Sequence, residues 1–322
     1  MLLSIIIPIY NVEKYLDECL QSILNQIDGE SKVEILLIDD GSADRSAEIC
    51  DSYAIKYPFI KVYHTRNGGL GSARNYGISR SRGKYVYFLD ADDLLENDFF
   101  QKVWDELQKD VDIIIAKKDT IYNCLTGEYR SKIIETLAEN QSVEDKVFHF
   151  FLNTSRVGCA IYNSRNIKSN CLHFSEKRDF CEDDTFLFFY LQKCASVKII
   201  DTAFYCYREK RIGSIVNTFN QETIIPTLQE TNRVVEKIKT LTCNYKENLF
   251  SKYGYRLLDY YIKYPHVKNK KIKKYIVKDF KSKTWILKKS KGRLKYLLVL
   301  RHFIGVPLTL RVMCFVRNIY EH

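Results

Sequence analysis

Short apolar runs alternate with amphipathic stretches through the first 120 residues. Residues 4–9, 33–38, 60–64, 85–89 and 111–116 are runs of branched and aromatic side chains, the pattern of strands buried on both faces. Between them, 12–25, 43–57, 71–81 and 97–108 follow the helical period, with Leu16, Cys19, Leu20, Ile23 and Leu24 spaced for one face. Strands separated by helices of this length predict an α/β fold: a mostly parallel sheet flanked by helices on both faces. Ligands of such sheets lie beyond the carboxyl ends of the strands. The segments just after the strands are polar here: Tyr10-Asn11, Asp39-Asp40-Gly41-Ser42, Thr65-Arg66-Asn67-Gly68-Gly69 and Asp90-Ala91-Asp92-Asp93.

Further along, the pattern weakens into short strands, turns and a helix near 143–152. It recovers as a helix at 182–192 and strands at 197–200 and 203–207. Beyond Gln221 everything reads as helix. The predicted organisation is a catalytic domain over 1–220, divided into a nucleotide half (1–120) and an acceptor half (121–220). A helical, basic region occupies 221–322.

Composition changes this picture in two places. Ten cysteines are scattered without any CxxC pair, which predicts reduced, mostly buried thiols rather than zinc or disulfides. The net charge of +10 is concentrated: residues 246–322 hold 20 Lys and Arg against 4 Asp and Glu. That segment points to an anionic partner, nucleic acid or an anionic lipid leaflet. The apolar start lacks a basic n-region and a cleavage site, so it reads as a buried strand of a protein that stays in the cytoplasm.

Three polar clusters carry candidate chemistry. Asp90 and Asp92, one residue apart at a strand end, offer hard oxygen ligands to Mn²⁺ or Mg²⁺; the alternative is that Asp92 or Asp93 caps the following helix. Asp40 can accept the N3 hydrogen of a uracil, or the motif only caps a helix through Ser42 or Asp44. The glycine-rich turn Asn67-Gly68-Gly69 leads into a helix whose first turn holds Arg74, within reach of a phosphate. Glycines at this spacing also serve simple turns. His64 and His173 read as structural, and Arg208 either holds a diphosphate or packs the domain.

In this order the pieces closely resemble the bacterial family 2 glycosyltransferases with a GT-A fold: Ser4 to Pro8 through Tyr10-Asn11-Val12-Glu13, then Asp39-Asp40-Gly41-Ser42, Asn67-Gly68-Gly69 to Ala73-Arg74-Asn75, and Phe88-Leu89-Asp90-Ala91-Asp92-Asp93. The resemblance resumes at Glu182-Asp183-Asp184 and at Tyr205-Cys206-Tyr207-Arg208 with Gly213-Ser214-Ile215, and covers roughly residues 1–216. It implies that Pro8, Tyr10, Glu13 and Asp40 surround the nucleoside, that Arg74 and Asp90 lie near the sugar diphosphate, and that Asp92 is the principal metal ligand. Asp183 is then the general base of a single inverting displacement; without the resemblance its acidic cluster reads as a helix N-terminus favoured by the dipole. Gly158-Cys159-Ala160-Ile161-Tyr162 departs from the family's Trp or Asn-Lys pair.

The implied partners are a nucleotide-sugar donor, expected to be a UDP-sugar, and a lipid-linked glycan acceptor at the inner face of the cell membrane, with no nucleic acid. The apolar run near 296–308, broken by Arg301 and followed by Arg311, falls short of a span and suits an interfacial helix on an anionic leaflet. A sugar nucleotidyltransferase, which lacks support from a GxGxR-type loop here, and a non-catalytic nucleotide- or nucleic-acid-binding protein remain the competing readings.

Overall fold

A computed structural model describes residues 1–27, 32–134, 141–154, 156–176, 181–210, 220–289 and 298–320. Gly213 to Ile215 and the basic residues 291–295 lie outside the described residues. Two compact units divide the chain, one formed by 1–178 with 182–217 and the other by 179–181 with 218–322.

The first unit is built on a seven-stranded sheet. In chain order its strands are β1 (Leu3–Ile9), β2 (Val33–Asp39), β3 (Ile60–His64), β4 (Tyr85–Phe88), β6 (Ile113–Ala116), β9 (Ala160–Asn163) and β10 (Val197–Ile200). Their spatial order is β10-β6-β9-β4-β1-β2-β3. Every pair is parallel except those of β9, which runs antiparallel between β4 and β6. All seven residues of β1 and of β2 are buried, as their unbroken apolar pattern requires. The exceptions in that pattern are paired: Ser4 Oγ donates to Glu34 at 2.6 Å.

Helices α1 (Leu16–Leu24), α2 (Ser46–Lys56), α3 (Leu70–Arg80) and α4 (Phe99–Gln108) connect the early strands. Helix α3 packs so tightly on β1 that a Cβ on Gly77 would lie 2.4 Å from Ile6 Cγ2. Helices α1, α2 and α4 begin later than their periodicity predicts, α1 and α2 the most. The residues before α1 and α2 are instead stitched to one another: Asn11, Val12 and Glu13 donate their backbone N–H groups to Ser42, Ser46 and Asp44 at 3.0–3.1 Å. In return Asn11 Oδ1 and Glu13 Oε2 accept from Ala43 and Arg45.

A second sheet has four strands: β5 (Leu94–Leu95), β7 (Lys118–Asn123), β8 (Tyr129–Ile133) and β11 (Tyr205–Glu209). Their spatial order is β5-β11-β7-β8. Helices α5 (Val143–Asn153), α6 (Ser164–Ser169) and α7 (Glu182–Leu191) complete the unit. The second unit is helical: α8 (Ile224–Lys239), α9 (Lys246–Tyr261), α10 (Lys270–Leu287) and α11 (Arg301–Tyr320). All ten cysteines are free and six are buried, among them Cys19, Cys50 and Cys159.

Candidate active site

The chain runs from β1 to β2 and β3 on one side, then returns to place β4 on the other side of β1. In open sheets of this kind ligands sit where the strand order reverses, which here is beyond the carboxyl ends of β1 and β4. Pro8 fits this edge. Ile9 accepts from Asp40 on the β2 side and Ile6 accepts from Leu89 on the β4 side, so the side on which Pro8 lacks a donor is the one where β4 has already ended. Tyr10 comes next and is exposed.

Asp40 is buried at the end of β2, and its two carboxylate oxygens accept the backbone N–H groups of Gly68 and Gly69 at 2.7 and 2.8 Å. It thereby ties the glycine-rich turn to the sheet. Its neighbour Asp39 accepts from Ser42 N–H at 2.9 Å and contacts His64 Nδ1 at 2.8 Å. The Asp39 hydrogen bond, against partial burial, holds the His64 imidazole above its ordinary pKa. His64 thus has a structural tether.

The turn delivers α3, and with it Arg74. This side chain has 0 % exposure. One terminal nitrogen donates to Asp90 Oδ1 at 2.7 Å, the other donates to Asp183, and Glu182 lies 3.8 Å from the latter nitrogen. Burial alone would lower the guanidinium pKa, but the three carboxylates hold it raised. Phe174 supports the guanidinium from below at 5.1 Å. Helix α3 holds that support closely: Asn75 exchanges two hydrogen bonds with the Phe174 backbone, at 2.8 and 2.9 Å, and a Cβ on Gly71 would meet the Ser175 carbonyl oxygen at 2.0 Å. Arg74 is therefore a buried bridge between carboxylates from the end of β4 and from α7, rather than an open arm at a helix start.

Asp183 sits in the first turn of α7 with its carboxyl 27 % exposed. Burial raises its pKa, and Arg74 opposes that rise. Asp90 keeps 39 % exposure and Asp92 is half-buried. Asp93 is buried and caps no helix. It accepts the Arg208 backbone N–H at 2.8 Å, while α4 starts only at Phe99. The Asp93 carboxyl is pushed well above the usual range by burial and by the negative charges of Asp92 and Asp90.

Sequence reasoning did not find the partners of two arginines in this wall. Arg208 is buried, ion-pairs with Glu18 and lies 5.5 Å over the Tyr15 ring, so β11 is latched to α1 beside the aspartates. Arg156 is held by both Asp119 oxygens, at 3.0 and 2.8 Å, and stacks on Tyr207 at 4.0 Å. Pairs this distant in sequence leave no local pattern. Glu13 is engaged with the loop at residues 44–45, and His173 is exposed, with its Nδ1 3.0 Å from the Cys171 carbonyl.

Among the described residues, no group of three or more His, Cys, Asp or Glu forms a ready-made metal site. Asp90 and Asp92 fit a hard divalent cation all the same. They are carboxylates at one strand end, the local carboxylates outnumber Arg74, and a Mg²⁺- or Mn²⁺-like ion ordinarily completes its shell with water and ligand phosphate oxygens.

The strand order and the polar strand ends define a GT-A α/β protein. The profile of Glycosyl transferase family 2 matches residues 4–168, and the chain belongs to that family. It is 33% identical over 229 residues to the glycosyltransferase GlyG of Streptococcus pneumoniae serotype 4, covering 67% of this chain and 73% of that protein. It is 34% identical over 215 residues to the minor teichoic acid biosynthesis protein GgaB of Bacillus subtilis, where the match spans 66% of this chain but only 23% of that protein. Among solved structures, S. aureus TarS 1–349 in complex with UDP superposes with a TM-score of 0.73 at 19% identity, covering 99% of this chain and 91% of that one.

Proposed function

We propose that this protein transfers a sugar from a UDP-sugar to a hydroxyl of a glycan acceptor, with inversion at the anomeric carbon, during synthesis of a surface polysaccharide. The observation that carries this reading is the Arg74 bridge, which joins Asp183 to Asp90 at the strand ends. The donor class is supported by the GT-A fold shared with TarS, whose structures hold UDP and UDP-GlcNAc. The polysaccharide role is supported by the similarity to GgaB, a minor teichoic acid biosynthesis protein.

In this reading the base lies toward β2, where Pro8, Tyr10, Glu13 and Asp40 build the nucleoside pocket, Asp40 by fixing the Gly68–Gly69 turn. Asp90 and Asp92 face the sugar diphosphate, with Asp92 as principal ligand of Mn²⁺ or Mg²⁺. When bound, such a cation offsets the charge developing on the departing diphosphate. Asp183 accepts the proton of the acceptor hydroxyl as that oxygen attacks the anomeric carbon, and one displacement completes the transfer. Arg74 keeps the Asp183 carboxyl ionised and aimed. The acceptor is carried on a lipid, and the enzyme works at the inner face of the cell membrane.

A screen of UDP-, GDP- and TDP-sugars with Mn²⁺, read by donor hydrolysis and by thermal stabilisation, tests the donor class; silence toward all of them defeats it. Asp183→Asn is expected to keep donor stabilisation and lose transfer by about 10²- to 10⁴-fold, the usual weight of a general base. Asp92→Asn is expected to lose the Mn²⁺-dependent part of donor binding. The opposite pattern reverses the assignment.

A further inference from the structure

The helical unit carries two surface features that its own packing leaves unused. The first is on α10 and its C-cap residue Lys288. Lys270, Lys274, Lys278, Lys281 and Lys288 advance in steps of four, four, three and seven residues, so they share one helical face over roughly 27 Å. All five are exposed, and among the described residues none has an ion-pair partner, in contrast to Lys283 on Glu236 and Lys289 on Glu247. The acidic residue of this helix, Asp279, lies away from the stripe and is occupied by Asn232 and Tyr261 at 2.9 and 2.6 Å.

The second feature is on α11 and the turn before it. Val306, Leu310 and Met313 are buried, yet Leu308 and Phe315 on the other side of the helix are exposed apolar side chains, next to exposed Arg311. Phe303 is 79% and Phe315 67% exposed, and Val299 and Leu308 are exposed too. Residues 298–317 are long and apolar enough to cross a bilayer by length and composition, more than the broken apolar run predicts. The helix is nevertheless interrupted at Gly305, whose φ of 72° and ψ of 165° are not helical, and Pro307 lies two residues on. The continuous piece beyond that break spans about 22 Å at 1.5 Å per residue, short of the ~30 Å hydrocarbon core. One face of that piece is also committed to the protein interior.

We propose that these two features form a docking surface for an anionic phospholipid bilayer, with the lysines of α10 on the headgroups and the apolar side chains of α11 in the interfacial region. Charge complementarity selects the occupant, because the last 77 residues hold 20 basic and 4 acidic side chains. A soluble polyanion would use the lysines and leave Phe303 and Phe315 in water. A neutral membrane would use the phenylalanines and leave the lysine stripe idle. The surface deepens the reading of a lipid-borne acceptor and rests on it, since it would hold the transferase where such an acceptor resides.

Flotation of the full chain with phosphatidylcholine vesicles, with and without about one-third phosphatidylglycerol, tests this surface. Binding is expected only to the anionic vesicles and is expected to weaken with salt. Replacing Lys270, Lys274, Lys278 and Lys281 by Gln should lower it at least tenfold, and Phe303→Ser with Phe315→Ser should lower it similarly while leaving its salt dependence. Unchanged binding by both variants, or no binding by the wild type, overturns the proposal. So does a concentration-dependent dimer that the phenylalanine variant abolishes, which assigns the apolar face to a second copy. Donor hydrolysis in solution, expected to be equal in all these proteins, separates this outcome from failure of the transferase reading itself.

Discussion

Arg74 has no contact with solvent, and its charge is balanced by carboxylates from two distant segments of the chain. Removing it leaves Asp90 and Asp183 facing each other without a cation. Arg74→Met is therefore expected to cost about 3 kcal/mol, the lower end for breaking a buried pair because both acids keep some solvent. Urea unfolding measures this. Arg74→Lys keeps one charge but loses the planar fork that reaches both acids at once. Because burial already raises the Asp183 pKa and Arg74 restrains it, the acid limb of the wild-type transfer rate should lie above the ordinary Asp value of about 3.9. In Arg74→Lys that limb should move further up, as a kcat/KM profile against pH would record; an unmoved limb would mean that Asp183 does not titrate in the rate. His64 gives a second pH signature, in stability. Its folded pKa is raised, so its contribution is complete below the unfolded value near ~6.5 and fades as pH rises through the folded value. The stability gap between wild type and His64→Gln should accordingly shrink as pH rises above the unfolded value.

At the scale of elements, the site is made by strand ends and by loops that bind one another. Helix α3 is the hinge of this arrangement, since it lies on β1 and also carries Arg74 and Asn75. Gly77→Ala places a methyl carbon 2.4 Å from Ile6 Cγ2, so the Ile6 side chain or the helix must shift. Overpacking of this kind costs about 1–3 kcal/mol, and the urea midpoint should fall with an unchanged slope. The strands β1 to β4 and the existence of α1 to α4 were legible because each is a local run of one period. The starts of α1 and α2 were not. The residues ahead of them have helical periodicity, but the two loops capture each other's backbone donors, with Ser42, Asp44 and Ser46 accepting from Asn11 to Glu13. β9 was hidden for a related reason. Four residues are too few to declare a period, and only pairing with β4 and β6 makes Ala160–Asn163 a central strand. The aspartates of the site were visible as types at strand ends. The ion pairs of Arg208 with Glu18 and of Arg156 with Asp119 were not, because each spans 37 or more residues.

Across the whole molecule, charge and chemistry are segregated. The carboxylates and Arg74 all belong to the first unit, whereas the basic excess belongs to the helical second unit. A ligand that binds only the folded first unit adds stability there by mass action, about 2.7 kcal/mol at a hundredfold excess over Kd. Donor binding should then slow hydrogen exchange where its contacts fall, and local opening elsewhere should be unaffected. With saturating UDP and Mn²⁺, protection is expected in the turn before α3, in the residues just after β4, and at the start of α2. Helices α9 and α10 are expected to exchange as they do without ligand. If anionic vesicles are added instead, the pattern should invert, with α10 and α11 protected and the strand ends unchanged. Donor-induced protection of α10 would mean that the two units share one binding event, and it would assign the lysine stripe to the nucleotide rather than to lipid.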